Sequence, residues 1–246
     1  MVLSTALLLQ HILFVFLLVV APAWDLHYTS RLKRDPTSAR KIGVYQTLCA
    51  WLWIASVVAL LAVGFRPLFR IDLGAGDAAW LEMRWVRWLL GILIALFAAG
   101  VVLPYVTVMW KKLAGQPRKY ASAELLKKMM WFLPVTTSER GWFAAVSVTA
   151  GICEELLFRG FLLQYLHVSP WKLPLMAALL IAAVIFGLQH LYQGAAGSIM
   201  SGLIGLLLSL LFLLTGSLLA PMVLHAVMDL RMLVILPTPG RTNAGG

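Results

Sequence analysis

The sequence predicts an all-α fold: a polytopic bundle of membrane helices. Of its 246 residues, 61% are hydrophobic and only 12% are charged. The mean hydropathy is +0.89. A soluble domain of this size needs a large polar surface, which this composition cannot supply. The apolar residues also form about seven runs, each long enough for a helix to cross the hydrocarbon layer. The bilayer is therefore the expected solvent for most of the chain.

The apolar runs follow one another along almost the whole chain. They cover approximately residues 3–22, 45–64, 88–110, 142–166, 173–191, 196–216 and 217–236. Ala21 and Ala23 form an Ala-x-Ala pattern at the end of the first run, as in a signal peptide. No Lys or Arg precedes that run, however, so we expect a retained membrane anchor.

The basic residues predict the orientation of the helices, because loops rich in Lys and Arg stay in the cytoplasm. They concentrate in two segments, at residues 31–41 and 111–140. The amino terminus is then expected outside and the tail inside. Residues 123–133 are predicted to form an interfacial helix, in which two lysines accompany apolar side chains. Thr136 and Glu139 match a capping box that opens the fourth membrane helix.

These patterns divide the chain into three predicted parts. Residues 1–141 hold three membrane helices and the basic loops, residues 142–236 form a membrane core that carries the candidate functional residues discussed below, and residues 237–246 form a cytoplasmic tail. The net charge is +10, but the basic residues form no single stripe, so no nucleic acid partner is expected. Cys49 and Cys153 lie far apart in apolar runs, which excludes a CxxC site and a disulfide framework.

Ionisable residues inside the later runs are the main functional signal. Such a group at the centre of a spanning helix costs roughly 2.5 to 3.5 kcal/mol, so its presence suggests a functional site. Glu155 and Arg159 are four residues apart and are predicted to pair on one helix face. Glu154 is rotated about 100° away and has Phe158 at the i+4 position, so it is left as a candidate general base. The alternative is that both glutamates belong to a buried ion-pair network.

Two further clusters lie on the following helices. Phe186 and His190 share one face, as do His225 and Asp229, whose carboxylate could orient the imidazole or act beside it. Each histidine alone could be an interhelical hydrogen-bond partner. Taken together, however, one Glu, two His and one Asp are groups that bind a divalent metal or activate water without one. Both alternatives point to hydrolysis.

Other hydrolase signatures are absent from the sequence. It contains neither His-Glu-x-x-His nor Gly-x-Ser-x-Gly. Ser198 with His225 would suit a rhomboid-like serine protease, but that interpretation leaves Glu154, Glu155 and Arg159 unexplained.

The three motifs, Glu154-Glu155-x-x-x-Arg159, Phe186-x-x-x-His190 and His225-x-x-x-Asp229, resemble those of the CPBP intramembrane proteases, also called the Abi or CAAX-protease-like family. The resemblance covers about residues 142–236. It implies that Glu154 activates a water with help from His190, and that His225 and Asp229 stabilise the oxyanion or complete a metal site. It also implies that Glu155 holds Arg159 and that Phe186 packs beside the base.

The same resemblance suggests a zinc ion held by Glu154, His190, His225 and Asp229. The family often has Asn where this chain has Asp229. An amide can donate a hydrogen bond to an oxyanion, whereas an ionised carboxylate can only accept. This difference favours the metal over the oxyanion role at Asp229.

The predicted function is therefore an intramembrane endopeptidase. Its partners would be membrane lipids and a membrane-embedded or lipidated, CAAX-like peptide substrate. The alternative is a non-catalytic membrane scaffold or bacteriocin-immunity-type protein that retains the motifs. The expected location is a bacterial plasma membrane. The sequence leaves the oligomeric state open.

Overall fold

The computed structural model describes residues 4–71, 76, 79–115 and 129–236. Within these residues the chain forms helices and no strands. The long helices are α1 (Thr5–Arg34), α2 (Ser38–Val63), α3 (Arg84–Leu113), α4 (Thr137–Glu155), α5 (Leu175–Gln189), α6 (Ala195–Thr215) and α7 (Leu219–Ile235). Helix α4 continues without a break through a π-helical stretch, Leu156–Leu162, and a last α-helical turn, Leu163–His167. Shorter helices occupy Phe65–Phe69, Ala79–Glu82 and Leu191–Gln193.

Each predicted apolar run coincides with one long helix, and the polytopic helical bundle is confirmed. Among the described helices, four are long and apolar enough to cross a membrane by length and composition: Thr5–Arg34, Ser38–Val63, Arg84–Lys111 and Ala195–Thr215. Helix α5 is apolar but shorter.

The first helix is longer than predicted. Arg31, Lys33 and Arg34, which the sequence places in a loop, lie in the last turn of α1. At 1.5 Å per residue, the 30 residues of Thr5–Arg34 extend about 45 Å, well beyond the roughly 30 Å of hydrocarbon. The basic turn can therefore remain helical while it lies among the lipid headgroups. The predicted interfacial helix at residues 123–133 and the tail at 237–246 lie mostly or wholly outside the described residues.

Helix α4 lies at the centre of the bundle and packs against both α2 and α7. A Cβ atom added at Gly151 would lie 2.7 Å from both the Cβ and the backbone nitrogen of Ala226. Only glycine permits this close approach of α4 and α7, which brings the motif residues of the two helices together. Helix α3 lies at the periphery, where Trp88 is 70% exposed, as expected for a lipid-facing surface.

The beginnings of α2 and α4 are joined by a buried polar cluster. The predicted capping box is present: the backbone nitrogen of Glu139 donates to Thr136 Oγ1 at 3.2 Å, and the Glu139 carboxylate accepts from the Thr136 nitrogen. Lys41 Nζ lies 3.8 Å from Glu139 Oε2 and donates to the carbonyl oxygens of Met130 and Leu133. These contacts hold the first turns of α2 and α4 next to each other.

Candidate active site

The centre of the site is a buried ion pair on α4. Arg159 Nη1 donates to Glu155 Oε1 at 3.0 Å, and the side chains of both residues are almost fully buried. The other two guanidinium nitrogens donate to α6, Nε to Ser209 Oγ at 3.2 Å and Nη2 to the carbonyl oxygen of Gly205 at 2.6 Å. All three nitrogens of Arg159 therefore have partners, as a buried cation requires. The structure contains the predicted Glu155–Arg159 pair.

The same carboxylate oxygen also holds a histidine of α7. Glu155 Oε1 lies 2.8 Å from His225 Nδ1, and His225 is buried. Because a carboxylate paired with arginine is an acceptor, Nδ1 carries the hydrogen of this bond. Nε2 is then the ring nitrogen that faces the site. Sequence reasoning offered Asp229 either as the group that orients the imidazole or as one that acts beside it; in the structure Glu155 bonds Nδ1, while Asp229 Oδ2 lies 3.8 Å from Nε2.

Two carboxyl groups face His225 Nε2. Glu154 Oε2 lies 3.9 Å from it, and Asp229 Oδ2 lies at 3.8 Å. The Glu154 side chain is 18% exposed and that of Asp229 is 34% exposed. Glu154 Oε2 itself is buried and has no hydrogen-bond partner. A buried oxygen of this kind normally has one, so this position suits a water or a substrate group.

Phe186 connects the second histidine to this cluster. Its ring centroid lies 4.9 Å from that of His190 and 6.1 Å from that of His225, and Arg159 lies over its face at 4.7 Å. His190 Nδ1 lies 3.0 Å from the Phe186 carbonyl oxygen, which can only accept, so Nε2 of the neutral ring is left as an acceptor. Among the described contacts, His190 reaches the cluster through Phe186 and not by a direct bond to Glu154.

The position of His190 depends on residues that sequence reasoning missed. Helix α5 ends at Gln189, and Gln189 Nε2 donates to the carbonyl oxygen of Leu17 in α1. Lys33 Nζ, also from α1, donates to the carbonyl oxygen of Tyr192 at 2.7 Å and lies 4.7 Å from the centre of the Trp131 ring. The Tyr192 ring is 5.9 Å from that of His190. Gln189, a polar residue in an otherwise apolar run, was the one signal of this arrangement.

Two alternatives can be examined against these positions. Ser198 Oγ is buried and donates to the carbonyl oxygen of Gly187 at 2.7 Å, which does not suit a nucleophile activated by His225. The described residues include no group of three or more His, Cys, Asp or Glu that could hold a metal ion. Zinc therefore stays a prediction from the sequence, and we assign it no step in the chemistry.

Comparison with known proteins identifies one family. Residues 136–231 match the Rce1-like family model, described as type II CAAX prenyl endopeptidase Rce1-like. The matched segment contains all three motifs, from Glu154 to Asp229, and it confirms the resemblance for this part of the chain. At the level of the family, the match implies CAAX-type intramembrane endopeptidase activity. No curated protein and no solved structure matches the chain.

Proposed function

We propose that this chain, whose residues 136–231 carry the Rce1-like match, is an intramembrane endopeptidase that hydrolyses a peptide bond with an activated water. The observation that carries the proposal is the arrangement around His225 Nε2. Glu154 Oε2 and Asp229 Oδ2 lie within 4 Å of this nitrogen, and the Asp229 side chain is 34% exposed. A base, a proton carrier and a route for water are the components that peptide hydrolysis needs.

Glu154 is the proposed general base. Glu154 Oε2 and His225 Nε2 are 3.9 Å apart. A single water between them can therefore lie within hydrogen-bond distance of both atoms. Glu154 takes one proton as the water oxygen adds to the carbonyl carbon. The carbonyl oxygen then becomes an oxyanion. Collapse of this intermediate breaks the C–N bond, and the proton passes to the leaving amine.

His225 is the proposed oxyanion donor. Its Nδ1 is bonded to Glu155, so Nε2–H of the protonated ring is directed toward the reacting carbonyl. A preorganised donor of this kind contributes about 10² to 10³ in rate. Arg159 donates a hydrogen bond to Glu155 and so keeps the Glu155 carboxylate in place against His225 Nδ1.

His190 and Asp229 have supporting parts in the proposal. The acceptor Nε2 of His190 assists the base or receives the proton of the leaving group. Asp229, the more exposed carboxyl group, contacts the incoming water or peptide.

The proposed substrate is a membrane-bound peptide with a lipid anchor, of the CAAX class that the matched family's description names. Helix α6, which contacts Arg159 at the site, is long and apolar enough to cross a membrane, so a substrate anchored in the bilayer can approach from the side. The proposed location is a bacterial plasma membrane with the amino terminus outside.

A non-catalytic scaffold is the second candidate. The Arg159–Glu155–His225 network ties α4, α6 and α7 together and would suit a purely structural role. That role does not require Glu154, whose Oε2 has no partner. Glu154 therefore distinguishes the two candidates.

The test is cleavage of a farnesylated CAAX peptide by the full chain reconstituted in liposomes. We expect Glu154→Gln to lower kcat by roughly 10² to 10⁴ and to leave the fold intact. Glu82→Gln, on the exposed short helix Ala79–Glu82, is the matched control. Full activity of Glu154→Gln would refute the base assignment. Terminal-peptide proteomics on host membranes with the same pair of variants identifies the natural substrate.

A further inference from the structure

A cavity lies away from the motif residues, where α1 and α2 meet. It has a volume of about 570 Å³, and its lining includes Arg31, Arg34, Arg40, Tyr28 and Gly43. Helices α1 and α2 are both candidate membrane spans, and only residues 35–37 separate them. The cavity therefore lies at the boundary between hydrocarbon and water, whichever side of the membrane it faces.

The cavity is strongly basic. Of its three arginines, only Arg40 has a carboxylate partner among the described residues, Asp35 Oδ2 at 2.7 Å. Arg34 Nε donates to the backbone carbonyl of Ser30, and no anion is described beside Arg31. Three guanidinium groups and one carboxylate leave an excess of two positive charges at this site. Arginine is the side chain best suited to bind phosphate oxygens in pairs.

The lower part of the cavity is different in character. Val44 contributes apolar surface there, while Tyr28 and Thr47 contribute hydroxyl groups. Tyr28 lies six residues before the end of α1, about 9 Å along the helix. Thr47 lies nine residues into α2, about 14 Å from its start. The arginines are therefore at the water-facing end, and the walls continue toward the hydrocarbon.

We propose that this cavity binds the phosphate headgroup of an anionic phospholipid. The arginines would hold the phosphate oxygens, and the glycerol and first acyl carbons would lie along Val44, between Tyr28 and Thr47. A free phosphate would use only the upper part, whereas a lipid fills the full depth. Basic pockets between membrane helices are suited to anionic headgroups for the same electrostatic reason. This binding is independent of the proposed peptidase activity.

Lipid binding can be measured on the full chain in neutral detergent by native mass spectrometry. The probes are dioleoyl phosphatidylglycerol, dioleoyl phosphatidylcholine and inorganic phosphate. Each basic side chain near an anionic headgroup changes affinity roughly five-fold, so Arg31→Gln, Arg34→Gln and Arg40→Gln together should weaken phosphatidylglycerol binding roughly 100-fold. The control combines Arg66→Gln, Arg84→Gln and Arg87→Gln, which remove the same charge from exposed positions beyond the opposite end of α2.

A second pair of variants separates the cavity from its charge. A Cβ atom at Gly43 would meet nothing within 4 Å, so Gly43→Trp can occupy the space and keep every arginine. Gly91 in α3 is equally unobstructed, and Gly91→Trp is its matched control. We expect Gly43→Trp to lose phosphatidylglycerol binding and Gly91→Trp to retain it.

Any one of four results would overturn the proposal. Equal losses in the two triple variants would indicate general attraction to the basic surface. Retained binding by Gly43→Trp would place the lipid elsewhere. Displacement of the lipid by millimolar inorganic phosphate, or equal binding of phosphatidylcholine, would show that the site does not recognise an anionic lipid.

Discussion

Replacement of Glu155 by Gln should destabilise the protein far more than replacement of the neighbouring Glu154. Glu155 Oε1 accepts from both Arg159 and His225, at 3.0 and 2.8 Å. Its other oxygen, Oε2, has no partner, so the amide nitrogen of glutamine can replace it without breaking a bond. Glu155→Gln therefore removes the negative charge and leaves the shape of the site nearly unchanged.

The magnitude follows from the two bonds and the buried cation. Hydrogen bonds to a charged group contribute about 1.5 to 3 kcal/mol and neutral ones about 0.5 to 1.5, so the two bonds together lose about 2 kcal/mol. Arg159 is also left buried without the carboxylate that it contacts, and breaking a buried pair in this way costs about 3 to 5 kcal/mol. The cost of breaking the buried pair already includes the two weakened hydrogen bonds, so the two figures are not added. We expect Glu155→Gln to lower the free energy of unfolding by about 3 to 5 kcal/mol in total.

Unfolding in mixed micelles, followed by the fluorescence of the 10 tryptophans, measures this loss. Glu154→Gln should change the free energy of unfolding by less than about 1 kcal/mol, because Glu154 Oε2 has no hydrogen-bond partner to lose. Glu82→Gln serves as the surface control. If Glu155→Gln and Glu154→Gln destabilise the protein equally, the division into one structural and one free glutamate is wrong.

Two further predictions concern helix packing. Gly151→Ala brings a Cβ atom to 2.7 Å from Ala226, so α4 and α7 must separate by roughly 1 Å to reach normal contact. A shift of that size should lower peptidase kcat about 100-fold, whereas Gly141→Ala, unobstructed in the same helix, should not; equal rates would exclude the packing argument. Lys41→Met should cost about 3 to 5 kcal/mol by leaving Glu139 buried without its cation, and added Glu139→Gln should recover most of that loss in the same unfolding assay. A double variant no more stable than Lys41→Met would contradict this account.

Local spacing made part of this structure predictable. The pairing of Glu155 with Arg159 depends only on their four-residue separation within one helix, and the capping box at Thr136 depends on a three-residue separation. Neither needs knowledge of how helices pack. The apolar runs likewise coincide with the long helices that the structure describes, but only four of these helices are long and apolar enough to cross the hydrocarbon layer, and α4, α5 and α7 are not among them.

Contacts between helices were harder to predict from the sequence. That Glu155 also holds His225 depends on the register of α4 against α7, which is set by the contact of Gly151 with Ala226. Sequence spacing within α7 suggested Asp229 as the partner of His225, since a four-residue pair is the nearest option in one helix. In the structure the partner is instead Glu155 of α4, whose carboxylate lies 2.8 Å from His225 Nδ1.

The amino-terminal helices explain how His190 reaches the site, although the family match begins only at residue 136. Leu17 lies in the π-helical stretch Phe16–Val20 of α1, where the changed bonding register lets its carbonyl accept from Gln189. At the end of the same helix, Lys33 holds the carbonyl of Tyr192. These two bonds flank His190 and fix the point at which α5 ends. Residues 136–231 therefore contain the candidate site residues, and α1 contributes to the position of one of them, His190, so the proposed site involves both parts of the chain.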